Sequence, residues 1–312
     1  MRAAALWIST CLAMTLATAA SGRVTGEVDA LTEVIEGFEQ NQQALRTWQG
    51  SATIKRWKHS DDKLVGESEV DFISDRSNDA IAWKRTVLAV PSEDPEDFEP
   101  YETSGMLSDG RIVWVAPRTR EDRHDRDGQP HGVNVHVREP EAGPRPLIAT
   151  DDAFNPGLYF NPVVNNTPQT LRFYLQNRHN PDMYPATVTR QGSRVVLEIT
   201  NPTEPHNKII NRYTFDLSSG FNLVESYFES EGNRTATTTK YQLVNKVYVP
   251  AVSTTVSQRG SQTIRKVETL FTSNRVNEPI PADAFTLEGI GVRDGDYILD
   301  TITNKSSWYQ PD

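Results

Sequence analysis

The chain has 312 residues and a formal net charge of −10 at pH 7, with 37% hydrophobic and 9% aromatic residues. This length allows a large buried core, and the aromatic content argues against global disorder. The negative charge disfavours nucleic acid and anionic lipid surfaces as partners.

The first 20 residues have the pattern of a cleaved signal peptide. Arg2 gives a short charged start, and the apolar run over 3–17 is too short and too rich in small residues for a membrane anchor. Small residues at 17–20 offer a cleavage site. Removal takes away Cys11, the only cysteine, so disulfides and thiolate chemistry are excluded from the mature chain. We expect export to the periplasm or outside the cell, with no transmembrane span in the mature chain.

An amphipathic helix is predicted at the start of the mature chain. Thr25 can cap it, and Leu31, Ile35 and Phe38 recur near helical spacing. We expect this apolar stripe to pack on a sheet.

From Trp48 onwards the hydrophobic period changes from 3.6 to 2, which predicts strands. Strands are expected near 51–58, 66–74, 80–90, 101–108 and 111–117, and in the second half near 194–200, 209–216, 221–227, 234–243, 246–258 and 262–273. Asp109-Gly110 predicts a tight hairpin turn. The short polar connections indicate antiparallel meanders of roughly ten strands.

Two segments depart from this pattern. Residues 118–147 form a polar insertion, and Thr167-Pro168 marks the start of a second predicted helix that ends by Asn180-Pro181. Helix, strands, insertion, helix and strands in this order predict one α+β domain over 21–287. A C-terminal extension over 288–312 adds a further candidate strand around Tyr297-Ile298-Leu299.

The second half resembles a known family. It contains the run Tyr-Thr-Phe-Asp-Leu-Ser-Ser-Gly-Phe over 213–221, then Val-Tyr-Val-Pro over 247–250, and Val-Asn-Glu-Pro-Ile-Pro over 276–281. Their order is similar to that of the outer-membrane lipoprotein-sorting (LolA/LolB-like) superfamily, over about residues 27–287. The resemblance implies a curved antiparallel half-barrel of about 10–11 strands, with helices on its concave face. Such proteins bind lipoprotein acyl chains, other lipids or hydrophobic ligands in the apolar space between.

This resemblance makes one face of the early strands, together with the predicted central helix, a candidate cavity lining. The candidate residues are Ile54, Phe72, Trp83, Arg85, Val87, Trp114 and Phe173. Plain hydrophobic core is the alternative interpretation. The family's carriers hold their closed form with a strand arginine, for which Arg56 and Arg85 are candidates. Arg85 is also placed to meet a polar head group, or else simply lies at the sheet edge.

Signals for catalysis and metal binding are weak. The insertion carries potential metal ligands, but their spacing matches no established pattern. These residues are Asp122, His124, Asp125, Asp127, His131 and His136. The chain lacks Gly-x-Ser-x-Gly and His-Glu-x-x-His, although a triad assembled from distant residues stays an alternative. We expect no catalytic residue, no metal and no cofactor.

The leading hypothesis is therefore an exported carrier or binding protein that holds a lipid, an acyl chain or a lipidated protein in an apolar cavity. The alternative is a scaffold or sensor domain of the same fold, without a cavity, that binds an envelope protein. An enzyme built on the fold is the third hypothesis.

Overall fold

The computed structural model describes residues 30–58, 63–78, 80–89, 100–119, 132–139, 163–164, 167–168, 185–201 and 209–311. Its described helix, α1, covers residues 30–44. Leu31 and Ile35 are buried on one side of α1, whereas Glu36 and Gln40 are exposed. The predicted amphipathic helix is confirmed there, while its proposed cap, Thr25, lies outside the described residues.

Seventeen strands follow α1 in the described part of the chain. Those of the first half are β1 (Thr47–Lys58), β2 (Lys63–Asp75), β3 (Ala80–Ala89), β4 (Tyr101–Ser108), β5 (Arg111–Thr119) and β6 (Asn134–Arg138). The short strands β7 (Val163–Val164) and β8 (Thr167–Pro168) pair only with each other. The remaining strands are β9 (Ala186–Gln191), β10 (Arg194–Asn201), β11 (Ile209–Asp216), β12 (Asn222–Ser230), β13 (Asn233–Val244), β14 (Val247–Arg259), β15 (Gln262–Val276), β16 (Tyr297–Asp300) and β17 (Lys305–Trp308).

Fifteen of these strands form one open sheet in the order β17-β16-β6-β5-β4-β3-β2-β1-β15-β14-β13-β12-β11-β10-β9. Neighbouring strands are antiparallel, except that β16 runs parallel to β6. The two halves of the chain meet where β1 pairs with β15, and Trp48 lies opposite Val276 there. The predicted hairpin turn is confirmed, since Asp109 and Gly110 have φ of 51° and 68°, as a type I′ turn requires.

One face of the sheet, here called the helix face, carries α1. Leu31 and Val34 pack into a buried cluster with Leu197 and Phe215 of β10 and β11. Further along the chain, Phe38 and Leu45 pack into a second cluster that contains Trp48, Phe72 and Phe271. The helix α1 and the residue that follows it therefore contribute to the core over both halves of the sheet.

The opposite face, here called the tail face, is covered along β3–β6 by the C-terminal segment, residues 281–309. Successive strand residues point to opposite faces, so Ala82 lies on the tail face while Trp83 lies on the helix face. Ala82 and Val113 belong to a buried cluster with Ile290 and Val292 of the C-terminal segment. The strand predicted around Tyr297 is confirmed as β16, and this part of the chain shares the core of the main sheet.

A buried carboxylate, Asp296, holds the C-terminal segment in place. It accepts hydrogen bonds from the backbone N–H groups of Val133, at 3.0 Å, and Arg293, at 2.8 Å. It also forms an ion pair with Arg118 of β5. Next to it, the N–H of Tyr297 donates to the carbonyl of Val133 at 3.0 Å, which begins the parallel pairing of β16 with β6.

The predicted α+β fold, with helices on the concave face of a 10–11-stranded half-barrel, is wrong. The described part of the chain is nearly all sheet, with one helix and 15 strands in the main sheet. Thr167-Pro168, the predicted start of a second helix, is strand β8, and the rest of that helix lies outside the described residues. The sheet is larger because β6, β9, β16 and β17 extend it, and irregular chain covers the second apolar face.

Candidate functional site

The strand register brings six of the seven predicted cavity residues to the helix face. Phe72 pairs with Trp83 across β2 and β3, and Gly105 of β4 pairs with both Trp83 and Trp114. By the same register, Ile54, Arg85 and Val87 share this face. The seventh residue, Phe173, lies outside the described residues.

Most of these side chains are tightly packed. Phe72 and Trp83 are only 2% and 5% exposed. The ring of Phe72 meets Trp48 edge-on, with centroids 4.7 Å apart, and lies 6.3 Å from Phe271. Ile54 is buried as well. The helix face around Phe72 is a filled aromatic core.

Val87 is buried as well, whereas Arg85 and Trp114 make polar or mixed contacts. Arg85 is buried, and its guanidinium donates a hydrogen bond of 2.8 Å to the hydroxyl of Ser68. Since β3 lies inside the sheet, Arg85 is not a sheet-edge residue. Half-buried Trp114 lies 5.5 Å from the ring of His136 on β6.

An apolar cleft lies on the tail face, between the strands β15, β1, β2 and β3 and the C-terminal segment. Its volume is about 360 Å³, which falls within the range of small-ligand pockets. Ile73, Ala82, Ala284 and Ile290 supply apolar lining on this side of the sheet. Its polar residues are Ser51, Asp71, Lys84, Ser273, Arg275 and Asp283. The cleft is a concave, mainly apolar space with charged groups of both signs.

A β-bulge shapes the floor of the cleft. The pairing of β1 with β15 shifts between Gln49 and Ser51, and Ser273 opposite them has a φ of 54°. Bulges bend a strand and are common beside functional sites. Ser273 itself lines the cleft.

The roof of the cleft is fixed by close backbone contacts. A Cβ atom on Gly289 would lie 1.7 Å from the carbonyl oxygen of Asp283, so only glycine fits there. The Thr286 hydroxyl donates to the same carbonyl at 2.9 Å and accepts the N–H of Gly289 at 3.0 Å. From β4, the hydroxyl of Ser104 donates to the carbonyl of Ile290 at 2.5 Å, which ties the roof to the sheet.

A smaller polar pocket of about 170 Å³ adjoins this cleft. The two spaces share Asp71, Lys84 and Ile290. The pocket continues across β3–β5, where Glu102 and Arg118 line it, and Arg293 of the C-terminal segment closes it. The polar pocket and the apolar cleft therefore lie side by side, and the C-terminal segment covers both.

Sequence reasoning missed this side of the sheet. Phe285, Leu287, Ile290 and Val292 follow no strand or helix period, so the pattern gave no sign that they cover a face. The available signal was Pro279-Ile280-Pro281, which follows β15 and is typical of an irregular segment.

The insertion contributes only in part to the described structure. Residues 122, 124, 125, 127 and 131 of the insertion lie outside the described residues. His136 lies on β6, half-buried, next to Trp114. Within the described ranges, no group of three or more His, Cys, Asp or Glu side chains is placed to hold a metal ion.

Three pKa shifts have clear structural causes away from the cleft. Burial would raise the pKa of Asp216, but hydrogen bonds from Ser218 outweigh it and lower that pKa. Burial, followed by the hydrogen bond to Glu229, raises the pKa of Tyr227. A hydrogen bond from the backbone of Thr303 lowers the pKa of Asp300.

Comparison with models of known protein families gives no match, and comparison with curated proteins gives none either. In the part of the chain that the structure describes, no helix is both long enough and apolar enough to cross a bilayer.

Proposed function

We propose that this chain is a binding protein that holds an apolar ligand, in the first instance an acyl chain, in the tail-face cleft. The observation that carries the proposal is the 360 Å³ apolar cleft between β1–β3 and the C-terminal segment. Each methylene buried there contributes roughly 0.8 kcal/mol, so a chain binds without any catalytic or polar motif. The cleft opens on the tail face, and two of the residues predicted from the sequence, Phe72 and Trp83, border it.

Export is part of this proposal. Its support is the pattern of the first 20 residues, with a charged start, an apolar run and small residues at 17–20. A carrier of apolar ligands outside the cytoplasm fits the absence of cysteine after residue 11. The mass of the protein recovered from the exported fraction tests this, because cleavage removes 19 or 20 residues.

The test of binding uses two phenylalanine substitutions on one face of β1. Ser51 lines the cleft, and Thr53, two residues on, is on the same face but outside it. Both side chains are half-buried, so the variants Ser51→Phe and Thr53→Phe are matched. Binding of a neutral naphthylamine dye, and its displacement by a long-chain monoacylglycerol, is followed by fluorescence.

The wild type and Thr53→Phe are expected to bind the dye with the same affinity. Monoacylglycerol is expected to displace the dye equally well from both proteins. Ser51→Phe fills the cleft, and the loss of two buried methylenes from the ligand weakens binding by about tenfold. Denaturation midpoints confirm that both variants are folded. Unchanged binding by a folded Ser51→Phe, or no uptake by the wild type, would overturn the proposal.

A protein-binding scaffold is the second candidate function. It is favoured by the filled helix face, where the side chains of Phe72 and Trp83 are buried in an aromatic core. Large apolar side chains exposed on the second half of the sheet, Leu243, Ile264 and Leu270, are available for a partner. Wild-type protein that takes up neither dye nor monoacylglycerol would favour this candidate.

A further inference from the structure

The polar pocket and the apolar cleft form one amphipathic groove. They share Asp71, Lys84 and Ile290, and the C-terminal segment lies along both. The apolar part spans β15 to β3, and the polar part spans β2 to β5. A ligand that fills the apolar part therefore has its end placed beside the polar part.

The polar pocket carries both signs of charge in near balance. Arg118 is already matched, because it pairs with the buried Asp296 and reaches the carbonyl of Gly291 at 3.3 Å. Arg85 also borders the pocket, but its guanidinium is bonded to Ser68 on the opposite face of the sheet. Two cations, Lys84 and Arg293, and two carboxylates, Asp71 and Glu102, remain around the pocket. These four residues are exposed, so their charges are available to a ligand.

The net charge around the pocket differs from the net charge of the whole chain. The protein has a net charge of −10, whereas the four remaining charges of the pocket sum to zero. A ligand with one negative charge meets Asp71 and Glu102 as repulsive groups. A neutral ligand removes water from four charges without replacing it, which costs free energy.

We infer that the ligand is a zwitterionic amphiphile, an inference that rests on the proposed function of the same cleft. Its acyl chain lies in the apolar cleft, and its head group, a phosphate with an ammonium, lies in the polar pocket. The phosphate faces Lys84 and Arg293, because cations bind phosphate oxygens in charge-assisted hydrogen bonds. The ammonium faces Asp71 and Glu102.

The test compares ligands that share one acyl chain and differ in the head group. Full-length mature protein is titrated by calorimetry, below the micelle concentration of each ligand. The ligands are a lysophosphatidylethanolamine, the corresponding fatty acid and the corresponding monoacylglycerol. Glycerophosphoethanolamine, which has the head group without the chain, is the fourth probe. We expect the lysophospholipid to bind about tenfold more tightly than the monoacylglycerol, and glycerophosphoethanolamine to bind most weakly.

Substitutions then assign the preference to the pocket. In Lys84→Met and in Glu102→Gln the ratio of lysophospholipid to monoacylglycerol affinity is expected to fall from about ten to about one. Lys240→Met is the control, since Lys240 is an exposed lysine of β13 that lines neither space. It is expected to keep the wild-type ratio. A substitution that changes the affinity of the cleft for both ligands equally leaves this ratio unchanged.

The outcomes separate this inference from the function beneath it. Equal binding of lysophospholipid and monoacylglycerol overturns the head-group inference and leaves the apolar cleft standing. If the fatty acid binds more tightly than the lysophospholipid, the preferred ligand is an anion, and the head-group inference is also overturned. If glycerophosphoethanolamine binds as tightly as the lysophospholipid, the polar pocket is a separate small-molecule site. That result overturns the inference that the pocket and the cleft form one groove. Failure of every chain-bearing ligand overturns the proposed function itself.

Discussion

The ring of Phe221 lies against Gly37 so closely that a Cβ atom on Gly37 would be 2.1 Å from Cδ2 of the ring. Gly37 is buried in α1, and Phe221 follows the turn between β11 and β12. Phe221 also has a φ of 61°, which is rare for a bulky residue. This contact joins the helix to the sheet.

Gly37→Ala is expected to destabilise the protein, although alanine is the better helix former by about 1 kcal/mol. The added methyl group must displace the Phe221 ring, and overpacking of this kind costs about 1–3 kcal/mol. Urea denaturation gives the free energy of unfolding. Gln40→Ala, at an exposed position of the same helix, is the control and is expected to be close to neutral.

A second variant tests whether the Phe221 ring is the reason that Gly37→Ala destabilises the protein. Phe221→Ala removes the ring, so Gly37→Ala is expected to cost less in that background than in the wild type. A stabilising Gly37→Ala, or the same loss in both backgrounds, would contradict the contact.

Asn41 is expected to hold α1 on the sheet through the backbone of β14. Its side-chain oxygen accepts the N–H of Tyr248 at 3.0 Å, and its amide donates to the carbonyl of Tyr248 at 3.1 Å. Asn41→Ala leaves both backbone groups without this partner, which costs about 1–3 kcal/mol. Thermal unfolding measures the loss, and hydrogen exchange at the Tyr248 amide is expected to speed up. Gln43→Ala, exposed on the same helix, serves as the comparison; equal behaviour of the two variants would rule out the anchor.

The strands were predictable because each carries its own signal. Alternation places β1–β5 and β10–β15 within a few residues of their observed bounds, and Asp109-Gly110 identifies its turn. The strand β6 was missed because it has five residues inside a polar insertion, and only Val135 and Val137 are buried. The pairing of β1 with β15 joins residues more than 200 positions apart, and no local pattern encodes it.

The candidate site was predictable to a lesser degree. Period 2 places Trp83, Arg85 and Val87 of β3 on one face, yet it cannot say whether that face is filled or hollow. Phe271 fills it from a distant strand. The cleft depends instead on the other face and on an aperiodic segment around Ala284 and Ile290, whose position only the tertiary structure gives.

Asp216 is expected to make stability depend on acidic pH. It caps the turn over Leu217–Ser219, where it accepts the backbone N–H of Ser218 at 2.9 Å and the Ser218 hydroxyl at 2.7 Å. Burial opposes these hydrogen bonds, but the pKa of Asp216 still lies below its ordinary value of 3.8. The unfolded state therefore binds the proton more readily, so this stabilisation is complete above the unfolded pKa and is lost as pH falls through the folded one.

Asp216→Asn keeps a capping oxygen without the charge. We expect it to lower the free energy of unfolding slightly at pH 7, because hydrogen bonds from Ser218 to a neutral oxygen are weaker than those to a carboxylate. The difference in unfolding free energy between wild type and variant should shrink as pH falls below about 4. Asp216→Ala, which removes the cap, is expected to cost about 1 kcal/mol at pH 7. Denaturation curves across the acid range measure both; a pH-independent difference for Asp216→Asn would exclude the linkage.

Asp296 is expected to keep the C-terminal segment, which forms the roof of the cleft, attached to the sheet. This carboxylate is fully buried, and Asp296→Ala leaves the Arg118 charge and the N–H groups of Val133 and Arg293 without their acceptor. Removing one partner of a buried ion pair costs about 3–5 kcal/mol. Because these bonds join the C-terminal segment to β5 and to the chain before β6, we expect the loss to appear first as local opening of residues 290–309. Hydrogen exchange at the amides of Tyr297 and Tyr309 reports that opening.

The matched control is Asp294→Ala, at an exposed position two residues away. It is expected to leave both amides protected. If the cleft binds the ligand, Asp296→Ala also weakens dye uptake, because Ala284 and Ile290 of the roof lose their attachment beyond residue 290. Protected amides in Asp296→Ala would mean that β16 and β17 hold the segment without the buried carboxylate. Opened amides with unchanged dye binding would place the ligand elsewhere than under this segment.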